Sequence, residues 1–68
     1  MIEIGQIWKI KETHDGLVVS YVAFPEYLLI LEKSSSWPWA KKFNVLTNKS
    51  HFDSYYDALI TDRYERIL

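Results

Sequence analysis

The fold is decided by the segment at residues 5–16, which reads GQIWKIKETHDG. In its first half apolar and basic side chains alternate, so Trp8 and Ile10 are expected to share one face of a half-buried strand. The segment ends in Asp15-Gly16. Asp-Gly between two hydrophobic runs is typical of a hairpin turn, because glycine accepts the positive φ that the turn needs. The sequence therefore predicts a strand, a tight turn and a returning strand.

Further strands follow on the C-terminal side of this segment. Residues 17–24 are rich in valine and aromatic residues, as strands are, and Pro25 should end that strand because it cannot donate to a ladder. The apolar run at residues 27–31 is compatible with a buried helical turn, but the flanking proline and serines favour a strand. Residues 41–46 alternate again, and residues 47–50 have the composition of a turn.

The last eighteen residues, 51–68, allow two interpretations. Apolar residues recur at helical spacing, which would give an antiparallel sheet of four strands followed by a C-terminal helix from about Asp53, an α+β fold. The other interpretation is a helical turn around residues 57–61 and a final strand at residues 64–68. We favour the turn and strand, because the β-branched pair Ile60-Thr61 weakens a long helix.

The resulting layout of about five strands, with a short helical turn before the last strand, resembles a small SH3-like β-barrel. The resemblance lies in that layout, in residues 5–10 and in residues 59–67. It implies one all-β domain over residues 1–68, of a kind that bacteriophages and mobile elements often encode. SH3 domains that bind proline-rich peptides carry an Ala-Leu-Tyr-Asp-Tyr stretch that is missing here, so that activity is not carried over. The expected core is Ile7 or Trp8, Ile10, Val18 or Val19, Val22, Leu29, Leu31, Phe43, Val45, Leu59 and Ile67.

Composition excludes several classes of protein. The chain has 68 residues, of which 49% are hydrophobic and 16% aromatic, enough for a small core. With no cysteine it has neither disulfides nor a cysteine zinc site, and a net charge of −1 speaks against a polybasic nucleic-acid binder. Its longest apolar run falls far short of the ~20 residues that span a bilayer. We expect a cytoplasmic protein without membrane contact.

Catalytic motifs are missing from the sequence. It has only two glycines and no glycine-rich phosphate loop, no serine in a nucleophile-elbow context, no paired carboxylates and no metal-ligand spacing. We therefore expect a non-catalytic protein without a metal or cofactor.

The stretch Trp37-Pro38-Trp39 has the strongest functional signal. Pro38 restricts the backbone around both indoles, and tryptophan is among the residues most enriched at binding hot spots. With Lys41 and Lys42 as rim charges, this stretch predicts a protein-binding adaptor or inhibitor, of the type that a phage directs at a host protein. The alternative is structural, with one or both indoles folded over an open end of the barrel.

Two other functions remain open. Lys41, Lys42 and Lys49 together with Tyr55 would form a basic, aromatic surface for single-stranded nucleic acid, although the net charge favours an ordinary solvated face. A homo-oligomeric structural component, joined through an exposed edge strand, is the third hypothesis. The sequence leaves the oligomeric state open.

Overall fold

The computed structural model describes residues 1–11, 13–14, 17–18, 24–35 and 41–68, and for residues 13–14 and 17–18 the backbone alone. Most of the described chain is β-structure. The elements in chain order are β1 (Ile7–Ile10), β2 (Thr13–His14), β3 (Leu17–Val18), β4 (Tyr27–Ser35), β5 (Lys42–Thr47), β6 (Phe52–Tyr56), α1 (Asp57–Arg63) and β7 (Tyr64–Arg66).

Five of these strands form one antiparallel sheet, in the order β6-β5-β4-β1-β7. The remaining two form a separate ladder in which Thr13 pairs with Val18 and His14 with Leu17. This pairing confirms the hairpin predicted around Asp15-Gly16, while the two turn residues themselves lie outside the described residues.

The C-terminal region confirms the favoured interpretation and corrects one part of it. A short helix, α1, precedes the last strand, β7, so the alternative of four strands and a C-terminal helix from Asp53 is wrong. Asp53 lies instead in β6, which pairs along its whole length with β5. Strand β6 was not predicted, because the aromatic residues of this segment also fit a helical spacing. As a strand, this segment pairs its backbone N–H and C=O groups with those of β5. A helix of this length would be only marginally stable.

Helix α1 has only seven residues and depends on tertiary contacts for its stability. Ile60 is completely buried beneath the sheet. At the C-terminal end of α1, the backbone N–H of Lys11 donates to the carbonyl of Arg63 at 2.9 Å, and Lys11 Nζ donates to the carbonyl of Asp62 at 3.2 Å. These bonds tie the helix to the end of β1.

The core lies on one face of the five-stranded sheet, which we call the inner face. Its buried hydrophobic residues are Ile2, Trp8, Ile10, Leu28, Ile30, Phe43, Val45, Ile60 and Tyr64. The predictions for Trp8, Ile10, Phe43 and Val45 are therefore confirmed. Those for Val18, Val19 and Val22 concern side chains outside the described residues.

The predicted core contains errors in two places. In β4 the buried residues are Leu28 and Ile30 rather than Leu29 and Leu31, because Leu28 lies opposite Trp8 in the register with β1. Near the C-terminus Ile67 is half exposed, and Leu59 is only partly buried at the margin of the core. The adjacent Ile60 and the unpredicted Tyr64 occupy the centre instead.

Buried polar groups on the inner face have partners. The indole Nε1 of Trp8 donates to Gln6 Oε1 at 3.0 Å, and the same oxygen accepts the backbone N–H of Glu3 at 2.9 Å. The hydroxyl of Tyr64 donates to the carbonyl of Pro25 at 2.6 Å. Burial, and secondarily the neighbouring Tyr55 phenol, raises the pKa of Tyr64 well above its ordinary value. These contacts fix the N-terminal segment and the start of β4 against the core.

Candidate binding surface

The two tryptophans with the strongest functional signal belong to the connection between β4 and β5. Trp37 and Trp39 lie outside the described residues, so the prediction that they anchor a partner stays a prediction. Lys42, which begins β5, lies opposite Tyr56 of β6. Its Nζ atom is 5.2 Å from the centre of the Tyr56 ring, a cation–π contact on the sheet face opposite the core.

The four residues of the predicted nucleic-acid surface are separated in the structure. Lys41 and Lys42 lie at one end of the β5–β6 hairpin, and Lys49 lies in the turn at its other end. Tyr55 is on the inner face, where it packs against the core. Burial, and then the charge and hydrogen bond of Asp53, raises the pKa of its phenol. The aromatic neighbour of the lysines is therefore Tyr56 rather than Tyr55.

The face of the sheet opposite the core, which we call the outer face, has an apolar row that runs across the whole sheet. The strand registers place Ile7 opposite Leu29, Leu29 opposite Leu46, and Leu46 opposite Phe52. At the other end the backbone N–H of Ile67 donates to the carbonyl of Ile7 at 2.9 Å. The apolar row therefore consists of Ile67, Ile7, Leu29, Leu46 and Phe52.

Exposure of the apolar row increases from its middle to its ends. Ile7, Leu29 and Leu46 are half-buried, whereas Ile67 is 50% and Phe52 is 76% exposed. Antiparallel sheets that face solvent on one side usually carry polar residues there. A continuous row of apolar side chains that solvent reaches is instead a common property of interaction sites.

Polar rows border the apolar row on both sides. On one side Lys9 lies between Tyr27 and Glu65 in the strand register. On the other side a chain of hydrogen bonds crosses three strands. The hydroxyl of Ser54 donates to Asn44 Oδ1 at 2.7 Å, and Asn44 Nδ2 donates to Glu32 Oε1 at 2.8 Å. The outer face thus has an apolar centre and a polar rim, which is the usual anatomy of a protein interface.

Residues beside the apolar row fix the shape of this surface. Asn48, in the turn after β5, accepts the backbone N–H groups of Glu26 and Tyr27 through Oδ1, at 3.0 and 3.2 Å. The turn is closed by Ser50, whose φ of 61° lies in the left-handed region. Together these contacts hold Tyr27 beside Leu29 and Leu46, where the three side chains line an open depression with Ile7 and Ile67.

The apolar row was not predicted from the sequence. Its members come from five separate segments, and only the strand registers place them side by side. The available signal was the unbroken apolar run at residues 27–31, in which one set of alternating side chains must face away from the core.

Two kinds of site are absent from the part of the chain that the structure describes. No group of three or more histidine, aspartate or glutamate side chains is placed to hold a metal ion within those residues. In the same residues no helix is long and apolar enough to cross a membrane. Comparisons with protein families, with curated proteins and with solved structures gave no match.

Proposed function

We propose that this chain is a non-catalytic protein-binding module, an adaptor or inhibitor, whose docking surface is the outer face of the sheet. The observation that supports the proposal most directly is the apolar row. It is continuous over five segments, it is exposed at both ends, and polar side chains border it. A partner that covered it would remove this apolar surface from water, which stabilises a complex by about 25 cal/mol per Å² of apolar area buried.

A curved, barrel-like sheet of the SH3 type is part of the proposal. Supporting it are the strand order β6-β5-β4-β1-β7, the helix immediately before the last strand, and two register shifts in β4. The shifts fall between Ile30 and Glu32 and between Lys33 and Ser35. Such bulges bend a strand and increase its twist, which is what a sheet needs to curl.

The tryptophan stretch enters the proposal as a second anchor. Lys42 and Tyr56 lie on the outer face at the end where the β4–β5 connection joins β5. Trp39 is three residues from Lys42 in the chain, and on that ground we include the tryptophan stretch in the proposed docking surface. In this arrangement Lys41 and Lys42 act as rim charges, which affect the rate of association more than the affinity.

The proposal is tested by affinity capture from a bacterial lysate with matched variants. Leu29→Lys places a charge in the middle of the apolar row, and Ser34→Lys places the same charge on an exposed residue of the same strand, outside the row. We expect a stoichiometric partner that the wild type and Ser34→Lys recover and that Leu29→Lys loses. Circular dichroism establishes that both variants are folded.

Two outcomes would reject the proposed surface. Equal recovery by Leu29→Lys and Ser34→Lys would exclude the apolar row. Recovery that depends on nuclease-sensitive material and fades steeply between two salt concentrations would indicate nucleic-acid binding instead, because phosphate contacts release counterions. The double variant Trp37→Ala/Trp39→Ala tests the second anchor in the same assay.

A further inference from the structure

Strand β6 forms one edge of the five-stranded sheet, and no described strand pairs with its free side. At the two ends of its pairing with β5, Thr47 N–H donates to the His51 carbonyl and Asp57 N–H donates to the Lys41 carbonyl. Backbone bonds alternate from residue to residue in an antiparallel pair. The N–H and C=O groups of Phe52 and Ser54 and the N–H of Tyr56 therefore point away from β5, along the free edge. The Tyr56 carbonyl is used by α1, of which Tyr56 is the N-cap.

This edge is complementary to itself. We infer that a second copy of the chain pairs with β6 in the antiparallel direction, about a two-fold axis at Ser54. In that register Ser54 lies opposite Ser54 of the second copy, and Phe52 lies opposite Tyr56 at both ends. The central pair can exchange two hydrogen bonds once the Ser54 N–H is released from the Asp53 carboxylate. Each end pair forms one, from the Tyr56 N–H to the Phe52 carbonyl, because the Tyr56 carbonyl caps α1.

Side chains in this register match in chemical type. Phe52 and Tyr56 are both on the outer face, where they are 76% and 52% exposed. Pairing places each ring against the other type of ring in the second copy, and aromatic cross-strand pairs stabilise a sheet. An isologous interface of this kind forms a closed dimer rather than a fibre.

Asp53 opposes the pairing in two ways. Its Oδ1 atom accepts the backbone N–H of Ser54 at 2.8 Å, which occupies the central donor of the free edge. In the dimer register Asp53 lies opposite Tyr55, so the Asp53 residues of the two copies become diagonal neighbours, with Cα atoms about 7–8 Å apart. Natural edge strands often carry such protective charges. We therefore expect a weak dimer, because the contact is also small.

Cysteine cross-linking tests the register directly, since the natural chain has no cysteine. Ser54→Cys places two thiols on residues whose Cα atoms would be about 5.5 Å apart, within the range of a disulfide. Tyr56→Cys is the matched control, because its two copies would be offset by four residues, or about 14 Å. Tyr56 is the more exposed of the two residues, so random collisions would favour it.

We expect mild oxidation at high protein concentration to cross-link Ser54→Cys at least tenfold faster than Tyr56→Cys. Equal rates, or faster cross-linking of Tyr56→Cys, would overturn the proposed register.

Sedimentation equilibrium of cysteine-free variants tests the edge without cross-linking. Asp53→Ala frees the Ser54 N–H and removes the charge, so it should tighten the dimer by about tenfold. Asp53→Asn keeps a side-chain oxygen for that N–H and should tighten it less. Ser54→Pro removes the outward N–H and should leave a monomer, while Arg66→Pro is the matched change on the opposite edge strand.

Monomeric Asp53→Ala at millimolar concentration would contradict the inference, as would a dimer that Arg66→Pro abolishes and Ser54→Pro retains. Thermal melts accompany each variant to establish that it is folded. The two surfaces share Phe52, but Leu29→Lys leaves the β6 edge unchanged, so failure of the dimer and failure of the outer-face proposal are distinguishable.

Discussion

The inner and outer faces of the sheet are built from the same strands but differ sharply in burial. In β4, Leu28 and Ile30 are at most 1% exposed, while Leu29, between them, is half-buried. The inner face is covered by Ile60 of α1 and by Ile2 of the N-terminal segment. The apolar row on the outer face has no comparable cover from the described residues. Apolar character alone therefore does not distinguish core from surface in this chain. The inner face is the core because α1 and the N-terminal segment cover it.

The largest expected effect comes from equal truncations on the two faces. Ile30→Ala should destabilise the protein by about 3 kcal/mol, because it leaves a cavity in a fully packed region. Leu29→Ala, on the adjacent residue, should cost less than about 1.5 kcal/mol, since solvent already reaches the side chain. Urea denaturation of both variants measures the difference. Equal losses would mean that the outer face is packed like a core and would remove the basis for the docking surface.

A smaller effect is expected from the polar contact on the inner face. Gln6→Ala leaves the buried indole N–H of Trp8 without its acceptor and should cost about 1–3 kcal/mol. A double-mutant cycle with Trp8→Phe isolates this contact, because phenylalanine has no N–H to satisfy. If Gln6→Ala costs as much in the Trp8→Phe background as in the wild type, Gln6 stabilises the fold through other contacts, such as its bond to the Glu3 backbone.

The smallest effect at neutral pH concerns the buried phenol of Tyr64. Tyr64→Phe should cost about 1 kcal/mol, because it removes the hydrogen bond to the Pro25 carbonyl. At alkaline pH this difference between the wild type and Tyr64→Phe shrinks, because the wild type alone loses stability through the Tyr64 phenol. The pKa of Tyr64 is raised in the folded state, so above about pH 10 the unfolded chain loses this proton first.

Stability is thus fully present below about pH 10 and falls as the pH rises toward the folded-state pKa, by up to about 1.4 kcal/mol per pH unit. Denaturation curves between pH 8 and 11 should show this slope in the wild type and a flatter one in Tyr64→Phe. Identical slopes would mean that another group causes the loss of stability at alkaline pH. Tyr55 is the next candidate, since burial also raises its pKa.

The buried face of a strand was predicted correctly where polar residues alternate with apolar ones and so mark the solvent side. In β1 the lysines at positions 9 and 11 mark the solvent side, and Trp8 and Ile10 are indeed buried. In β5 the same logic correctly predicts Phe43 and Val45. In β4 the run at residues 27–31 has no polar residue, so alternation permits either set of side chains to face the core. The wrong set, Leu29 and Leu31, was predicted.

The candidate binding surface was less accessible to sequence reasoning than the core. Lys42 was predicted as a rim charge and does lie on the outer face, but its aromatic contact is Tyr56. Phe52, the most exposed member of the apolar row, lies in the strand that the sequence analysis missed. A row across a sheet combines residues far apart in the chain, and no local pattern records which of them become neighbours.

The sequence by itself determined the β-rich class, the hairpin around Asp15-Gly16, the turn at residues 47–50 and the helical turn before the last strand. These features follow from local rules of alternation, turn chemistry and β-branching, which act over a few residues. Only the tertiary structure decided which face of β4 is buried, that residues 52–56 form a strand, and that an apolar row crosses the outer face. Each of these depends on pairing between distant strands, because a shift of register by one residue reverses the face of every side chain in a strand.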